Sequence, residues 1–320
     1  MKVLLVNSTF GGVSGSGQHV KMIVEELGGK VDFELWNVNS IGYLNFPKLR
    51  SISFYMLCKL KNVPKDVDIV HVHNPKFSGL FQDSFKNMLT IHGDYKVELL
   101  KEYGYLAKPI IAYINSQIRR ADLITTVSPL WAKLNDWLWV PNMIKLSEVT
   151  KIEPYPDGGY LLFVGRDDPI KDYPLFKEIA YLVYKRYAIK SVALGLLKKD
   201  EEYLRHMKVP RSEVIARMKS ALALVVTSRH EGFPTVILEA WASHCPVIAR
   251  NILPLRVLEK LYPGSLLLFN NADDFIRIIE KFHEVKNHLI KAGWNAVKNF
   301  DAKIVCEKYY KLYKRLLNSY

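Results

Sequence analysis

The chain has 320 residues, 49% hydrophobic and 12% aromatic, enough for two ordinary domains, and this excludes a disordered tail, a disulfide-built miniprotein and a fibrous repeat. The net charge is +13; residues 1–150 hold 17 basic and 13 acidic side chains and residues 151–320 hold 28 and 19. That excess, larger in the second half, favours an anionic partner: a nucleotide diphosphate, a phospholipid surface or a nucleic acid.

In chain order, Lys2 to Val6 is a compact apolar run followed by a loop with Gly11, Gly12, Gly15 and Gly17, then a helical period from Gln18 to Leu27. Further strands are expected at Phe33–Val38, Asp68–His73, Met88–Ile91 and Leu123–Val127. Residues 153–159, with two prolines and two glycines, read as a linker, after which Tyr160–Val164 starts a second series. Helices near 174–187, 211–221 and 235–243 alternate with strands near 191–194, Ala223–Thr227 and Val247–Ala249, and helices close the chain from about Asp273. Strands alternating with helices predict an α/β chain of two doubly wound, Rossmann-like domains, 1–150 and 151–302, with a helix at 303–320 that packs back on the first. A ligand is then expected in a central cleft that the two domains face.

Asp66-Val67-Asp68 resembles a metal-holding triplet but precedes a buried strand, so a turn is expected. His71 and His73 share one face of that strand with no third ligand in view, and no metal and no cofactor are predicted. Cys58, Cys245 and Cys306 stand far apart and read as buried hydrophobes of a reducing compartment. The opening apolar stretch is too short for a signal peptide, and no window reaches the roughly eighteen apolar residues of a membrane span. A cytoplasmic protein is expected.

The strongest chemical signal is Arg229-His230-Glu231-Gly232-Phe233-Pro234-Thr235-Val236-Ile237-Leu238-Glu239-Ala240, which follows a buried strand and opens a helix. Gly232 permits a tight turn, Pro234 suits the first helical position, and the amides of Thr235 and Val236 are free to meet an anion. Glu231 and Glu239, eight positions apart, can reach different parts of one ligand.

This string resembles the Glu-x7-Glu signature of the retaining GT-B glycosyltransferases of glycosyltransferase family 4. Five further segments are similar to that family's elements in the same order: Ser14-Gly15 with His19-Val20, Thr90-Ile91-His92-Gly93-Asp94, Thr126-Val127-Ser128, Val140-Pro141-Asn142, and Phe163-Val164-Gly165-Arg166 with Lys171. The resemblance implies a GT-B fold and metal-independent transfer of a sugar, of the hexosyl type, from a nucleotide diphosphate donor to an acceptor, with front-face retention. It assigns Arg166 and Lys171 to the departing diphosphate, Glu239 to the ribose, Glu231 to the sugar hydroxyls and His92 to the sugar and acceptor. Gly15, Gly17, Gly165, Gly232, Phe233, Pro234, Thr235 and Val236 would line the donor site.

Two departures stand out. Ala242-Ser243-His244-Cys245-Pro246 places an imidazole where the family has glycine, and Asn251-Ile252-Leu253-Pro254-Leu255 replaces a Gly-Gly loop. They leave the donor open and keep a non-catalytic relative as an alternative; the nearest enzymatic alternative on the same fold is a sugar-nucleotide epimerase. Residues 35–65 contain no acid, while Lys48, Arg50, Lys59, Lys61 and Lys65 alternate with large apolar residues. Such a stretch suits either an anionic lipid interface at the inner membrane face, through residues 41–65 and with a lipid-linked or membrane-proximal acceptor, or a core helix with a solvated lysine edge. The non-enzymatic reading, a basic nucleic-acid binder, is disfavoured because the cations are scattered rather than interleaved with aromatics on one face.

Overall fold

The computed structural model describes residues 1–12, 14–46 and 49–318. Its contacts divide the chain into two compact units, Met1–Asn142 with Ala302–Tyr320, and Met143–Asp301.

Unit 1 runs β1 (Lys2–Val6), α1 (Gly15–Leu27), β2 (Asp32–Trp36), α2 (Val38–Ile41), α3 (Arg50–Lys61), β3 (Ile69–Val72), β4 (Lys86–Ile91), α4 (Tyr95–Tyr103), α5 (Ala107–Ile118), β5 (Leu123–Thr126), α6 (Pro129–Asn135) and β6 (Leu138–Trp139). The strands form one parallel sheet in the order β2-β1-β3-β4-β5-β6. Parallel strands are covered on both faces, which is why β1, β3 and β4 are buried almost end to end, polar His71 and Thr90 included. Leu4, Val6, Val70, Val72, Leu89 and Ile91 pack with Trp36, Phe54, Phe77 and Phe81 in its core.

Unit 2 runs α7 (Leu146–Thr150), β7 (Leu161–Val164), α8 (Tyr173–Tyr187), β8 (Ser191–Leu194), β9 (Leu204–Met207), α9 (Arg211–Ser220), β10 (Ala223–Val226), α10 (Thr235–Ala242), β11 (Val247–Arg250), α11 (Leu253–Leu261), β12 (Leu267–Phe269), α12 (Ala272–Glu280) and α13 (Phe282–Val297). Its sheet is also parallel, in the order β12-β11-β10-β7-β8-β9. The chain then returns to unit 1 as α14 (Ala302–Asn318), which packs along α1 and buries Val305, Cys306, Tyr309 and Tyr313.

The sheets fix where polar side chains can gather. In unit 1 the chain leaves β1 for β2 on one side and later for β3 on the other; in unit 2 it leaves β7 for β8 and later for β10. At such a reversal the loops after neighbouring strands diverge and leave a crevice at their carboxyl ends.

Several sequence expectations shift here. Residues 153–159 are not a free linker. They belong to unit 2, where the Tyr155 amide donates to Ala216 O and Ser220 Oγ donates to Tyr155 O. Gly15 and Gly17 stand inside α1 rather than in its preceding loop, with Ser14 as the cap. A Cβ on Gly17 would meet Gly11 O at 2.5 Å and Thr9 Oγ1 at 2.7 Å, so this glycine lets the loop after β1 lie on the helix. Asn251–Leu255 is no loop; from Leu253 it is the first turn of α11. Asp66 and Asp68 both bond Lys2, through Nζ at 2.7 Å and the backbone amide at 2.8 Å, which accounts for that triplet as a turn.

Candidate active site

Two polar constellations occupy the two reversals, each within its own unit. In unit 2 the loop after β7 carries Gly165, Arg166 and Lys171, and the loop after β10 carries Arg229 and Glu231. Main-chain and side-chain bonds stitch them together: Arg229 N donates to Ile170 O at 2.8 Å, and Thr227 Oγ1 donates to Lys171 O at 2.7 Å. Lys171 Nζ donates to Glu231 Oε1 at 2.6 Å, with both side chains mostly shielded from solvent. Charge-assisted bonds of this length are the stronger kind.

Asp172, which follows Lys171, anchors the arrangement from below. It is buried, in the left-handed region at φ 47°, and binds the Arg229 guanidinium at 2.8 and 3.2 Å and Arg250 Nη1 at 2.7 Å. Burial pushes its carboxyl pKa up, but the bonds from Arg229 and Arg250 outweigh this and hold it below the usual value. Arg166 is exposed and has no charged partner among the described residues. The loop after β7 can lie close because Gly195, at φ +93°, presses on it: a Cβ there would sit 2.5 Å from Gly165 O.

Helix α10 opens from the same loop. Pro234 is its cap rather than its first residue, at φ −73° and ψ 114°, and offers no capping side chain. The amides of Thr235 and Val236 are therefore left for an external acceptor, at the positive end of the helix. Phe233 is buried with its ring 5.3 Å from that of Phe300, so its side chain serves the core. Glu239, one turn in, accepts from Arg211 Nε at 2.8 Å.

His244 explains its own departure. It lies at φ 54°, a conformation that glycine adopts freely, and its ring stacks on Trp294 at 4.5 Å and 26°. The position still requires a left-handed residue; the imidazole occupies it with support from the indole.

Residues 147–298 match the family Glycosyl transferases group 1. This span contains every residue of the charged constellation. A relative in Methanocaldococcus jannaschii described as an uncharacterized glycosyltransferase is 26% identical over 345 residues, covering 96% of this chain and 95% of its own length. Among solved structures, sucrose-phosphate synthase from Thermosynechococcus elongatus superposes with a TM-score of 0.74 at 17% identity, covering 98% of both chains. Anabaena HepE in complex with UDP-glucose gives 0.72 at 12%, covering 98% of this chain and all of that one. The chain has the GT-B fold, and the family match supports sugar transfer as its activity.

In unit 1 the second constellation is built of histidines. His19 comes from α1, His71 and His73 from β3 and its end, and His92 from the end of β4. His71 bonds Tyr313 Oη at 2.8 Å and Thr90 Oγ1 at 2.7 Å; His19 bonds Tyr309 Oη at 2.9 Å and Asn142 Oδ1 at 3.3 Å. An amide oxygen only accepts, so neutral His19 is protonated on Nδ1 and takes the Tyr309 proton on Nε2. His73 Nδ1 meets His92 Nε2 at 3.1 Å, and His73 Nε2 is buried with no hydrogen-bond partner among the described residues. Burial keeps all four imidazoles neutral: His92 is lowered to about 4, His71 to about 3, and His19 and His73 lie well below the ordinary value.

The sequence showed no third ligand beside His71 and His73. The fold supplies two more imidazoles, and ring nitrogens of His19, His73 and His92 lie within 4.8 Å of one another, a spacing a metal ion can occupy. His71 is not among them, because Tyr313 and Thr90 take both of its nitrogens. Asp172, Gly195, Arg211, Arg250 and Tyr309 had no role in the sequence reading. Arg229 and Asn142 stood inside quoted motifs, and only their partners in space reveal what they do.

Proposed function

We propose that the chain is a retaining glycosyltransferase of family 4 that moves a sugar from a nucleotide diphosphate donor to a lipid-linked or membrane-proximal acceptor at the cytoplasmic membrane face. The observation that carries this reading is the pair of loops joined through Lys171 and Glu231, beside Arg166, which has no charged partner among the described residues, and the amides at the start of α10. Breaking an anomeric bond leaves charge on the diphosphate, and fixed cations and amides aimed at those oxygens lower the barrier.

Lys171 and Arg166 take the diphosphate; Gly165, Gly232, Thr235 and Val236 let it approach the backbone. Glu239 exchanges Arg211 for ribose hydroxyls, and Glu231 grips the sugar. With Lys171 offsetting its charge, Glu231 is a poor nucleophile, which supports front-face substitution over a covalent intermediate. His92, neutral at physiological pH, offers a hydrogen bond to sugar and acceptor without adding charge. The chain's own cations neutralise the diphosphate, so the reaction is metal-independent: EDTA-treated protein retains its turnover.

The deciding experiment screens UDP-, GDP- and ADP-sugars by thermal shift, where a ligand at a hundred times its Kd stabilises by about 2.7 kcal/mol. Turnover of the selected donor is then measured in Arg166→Ala and Glu239→Ala. Both variants should be folded and inactive, and wild-type turnover in both overturns the assignment. Product release from donor alone, with no acceptor, would mark an epimerase instead.

A further inference from the structure

Helix α3 is amphipathic on two sides. It buries Ser53, Phe54 and Cys58 against the sheet, yet Ile52, Met56 and Leu60, four residues apart, form a stripe facing solvent at 41%, 54% and 75% exposure. The chain just before the helix adds Leu44, Phe46 and Leu49, also exposed. Arg50, Lys59 and Lys61 are exposed on the same helix. Lys48 lies outside the described residues. Scattered apolar side chains on a surface are ordinary, but a continuous run of this kind marks a contact site.

We infer that this face of unit 1, residues 44–46 and 49–61, docks the protein on an anionic lipid bilayer. Charge complementarity selects that occupant. The segment 35–65 contains no acid at all; Lys59, seven positions after Ile52, lies beside the apolar stripe, and Arg50 and Lys61 flank it over the rings of Tyr43 and Trp36. Lysine and arginine there meet lipid headgroups while Ile52, Met56 and Leu60 enter the boundary below them. A second copy of the chain fits poorly, because a two-fold contact would bring two basic, acid-free segments together. Tyr55, on the inner side of α3, bonds Tyr113 of α5 through their hydroxyls at 3.0 Å, which fixes the helix to unit 1. Among the described residues no helix is long and apolar enough to cross a membrane.

This inference deepens the acceptor reading above and rests on it for why a bilayer is needed; flotation without donor or acceptor tests it separately from turnover. The full chain is floated with vesicles of phosphatidylcholine alone and with 30% phosphatidylglycerol. It should bind only the anionic vesicles and leave them in high salt. Lys59→Glu with Lys61→Glu should weaken binding by roughly a hundredfold or more, each basic residue near such a surface being worth several-fold. Met56→Ser with Leu60→Ser, which keeps every cation, should also weaken binding at low salt. Leu197→Ser, at an equally exposed leucine of unit 2 (78%), should leave binding unchanged. Thermal melts confirm that each variant is folded. Equal binding to neutral vesicles, retention by both double variants, or loss in Leu197→Ser overturns the inference. A concentration-dependent dimer abolished by Met56→Ser with Leu60→Ser, without vesicle binding, overturns it in favour of a second copy.

Discussion

The two units place polar groups at the same point of the same kind of sheet and stabilise them by opposite means. Unit 2 pairs full charges: Lys171 with Glu231, Arg211 with Glu239, and Asp172 with Arg229 and Arg250. Unit 1 removes charge, burying three neutral imidazoles and half-burying a fourth, His92, among hydroxyls and an amide. Ion pairs at a loop edge can be exchanged for the charges of a ligand. Buried neutral rings cannot, and they are the part of the molecule that acid will attack.

The sharpest break in that comparison would come from Lys171→Ala. If the charged loops neutralise a diphosphate, steady-state turnover falls by roughly 100- to 1,000-fold with the far-UV spectrum unchanged. His71→Gln, by contrast, leaves donor affinity intact. Turnover within threefold of wild type in Lys171→Ala would remove the functional half of the contrast.

Next in size is Gly195→Ala. The new methyl meets Gly165 O at 2.5 Å in a backbone conformation that disfavours side chains, so urea unfolding should show a loss of about 2–4 kcal/mol. Donor affinity should fall with it, since the same contact positions the loop of Arg166 and Lys171.

Acid probes unit 1. Its histidines have folded pKa values below their unfolded value of 6.5, so the unfolded chain takes up protons first. The stability this confers is complete above pH 6.5 and is lost as pH falls, until His92 titrates near 4 and His71 near 3. Each such histidine costs about 1.4 kcal/mol per pH unit within that window. Chemical denaturation at pH 7, 6 and 5 should therefore show a steep decline, flattened in His71→Gln.

Smaller still is Tyr309→Phe, which deletes the hydroxyl facing His19 Nε2 and should cost about 1–2 kcal/mol in the same assay. Smallest is His244→Gly. It relieves a left-handed backbone and loses the stack on Trp294, two opposing effects of about 1 kcal/mol each, so Tm should move by only a few degrees and donor turnover should persist.

Much of the fold was legible because interior parallel strands are mostly apolar. β1, β3, β4, β7, β8 and β10 fall within a few residues of where the sequence places them. The strands that escaped were β6, β9 and β12, all at sheet edges. An edge strand is half exposed and short; Leu204–Met207 interposes Arg205 and His206 between apolar ends, which gives no buried-strand pattern. At the site, the residue types of Arg166, Lys171, Glu231 and Glu239 were readable from local strings. Their partners were not: Asp172 and Arg229 are 57 positions apart, and His19 and Tyr309 are 290 apart. Nothing in a local pattern encodes contacts at that range. Gly17 shows the same limit, because the Thr9 and Gly11 atoms that leave no room for a Cβ there lie across a turn.

The return of α14 sets an order on biosynthesis. Tyr309 and Tyr313, which complete the hydroxyl partners of His19 and His71, are translated after all of unit 2. On the ribosome, therefore, the middle of the chain can finish its core while the first 142 residues still await their closing helix. Protection of that amino-terminal sheet from proteases should appear only once residue 313 has left the exit tunnel.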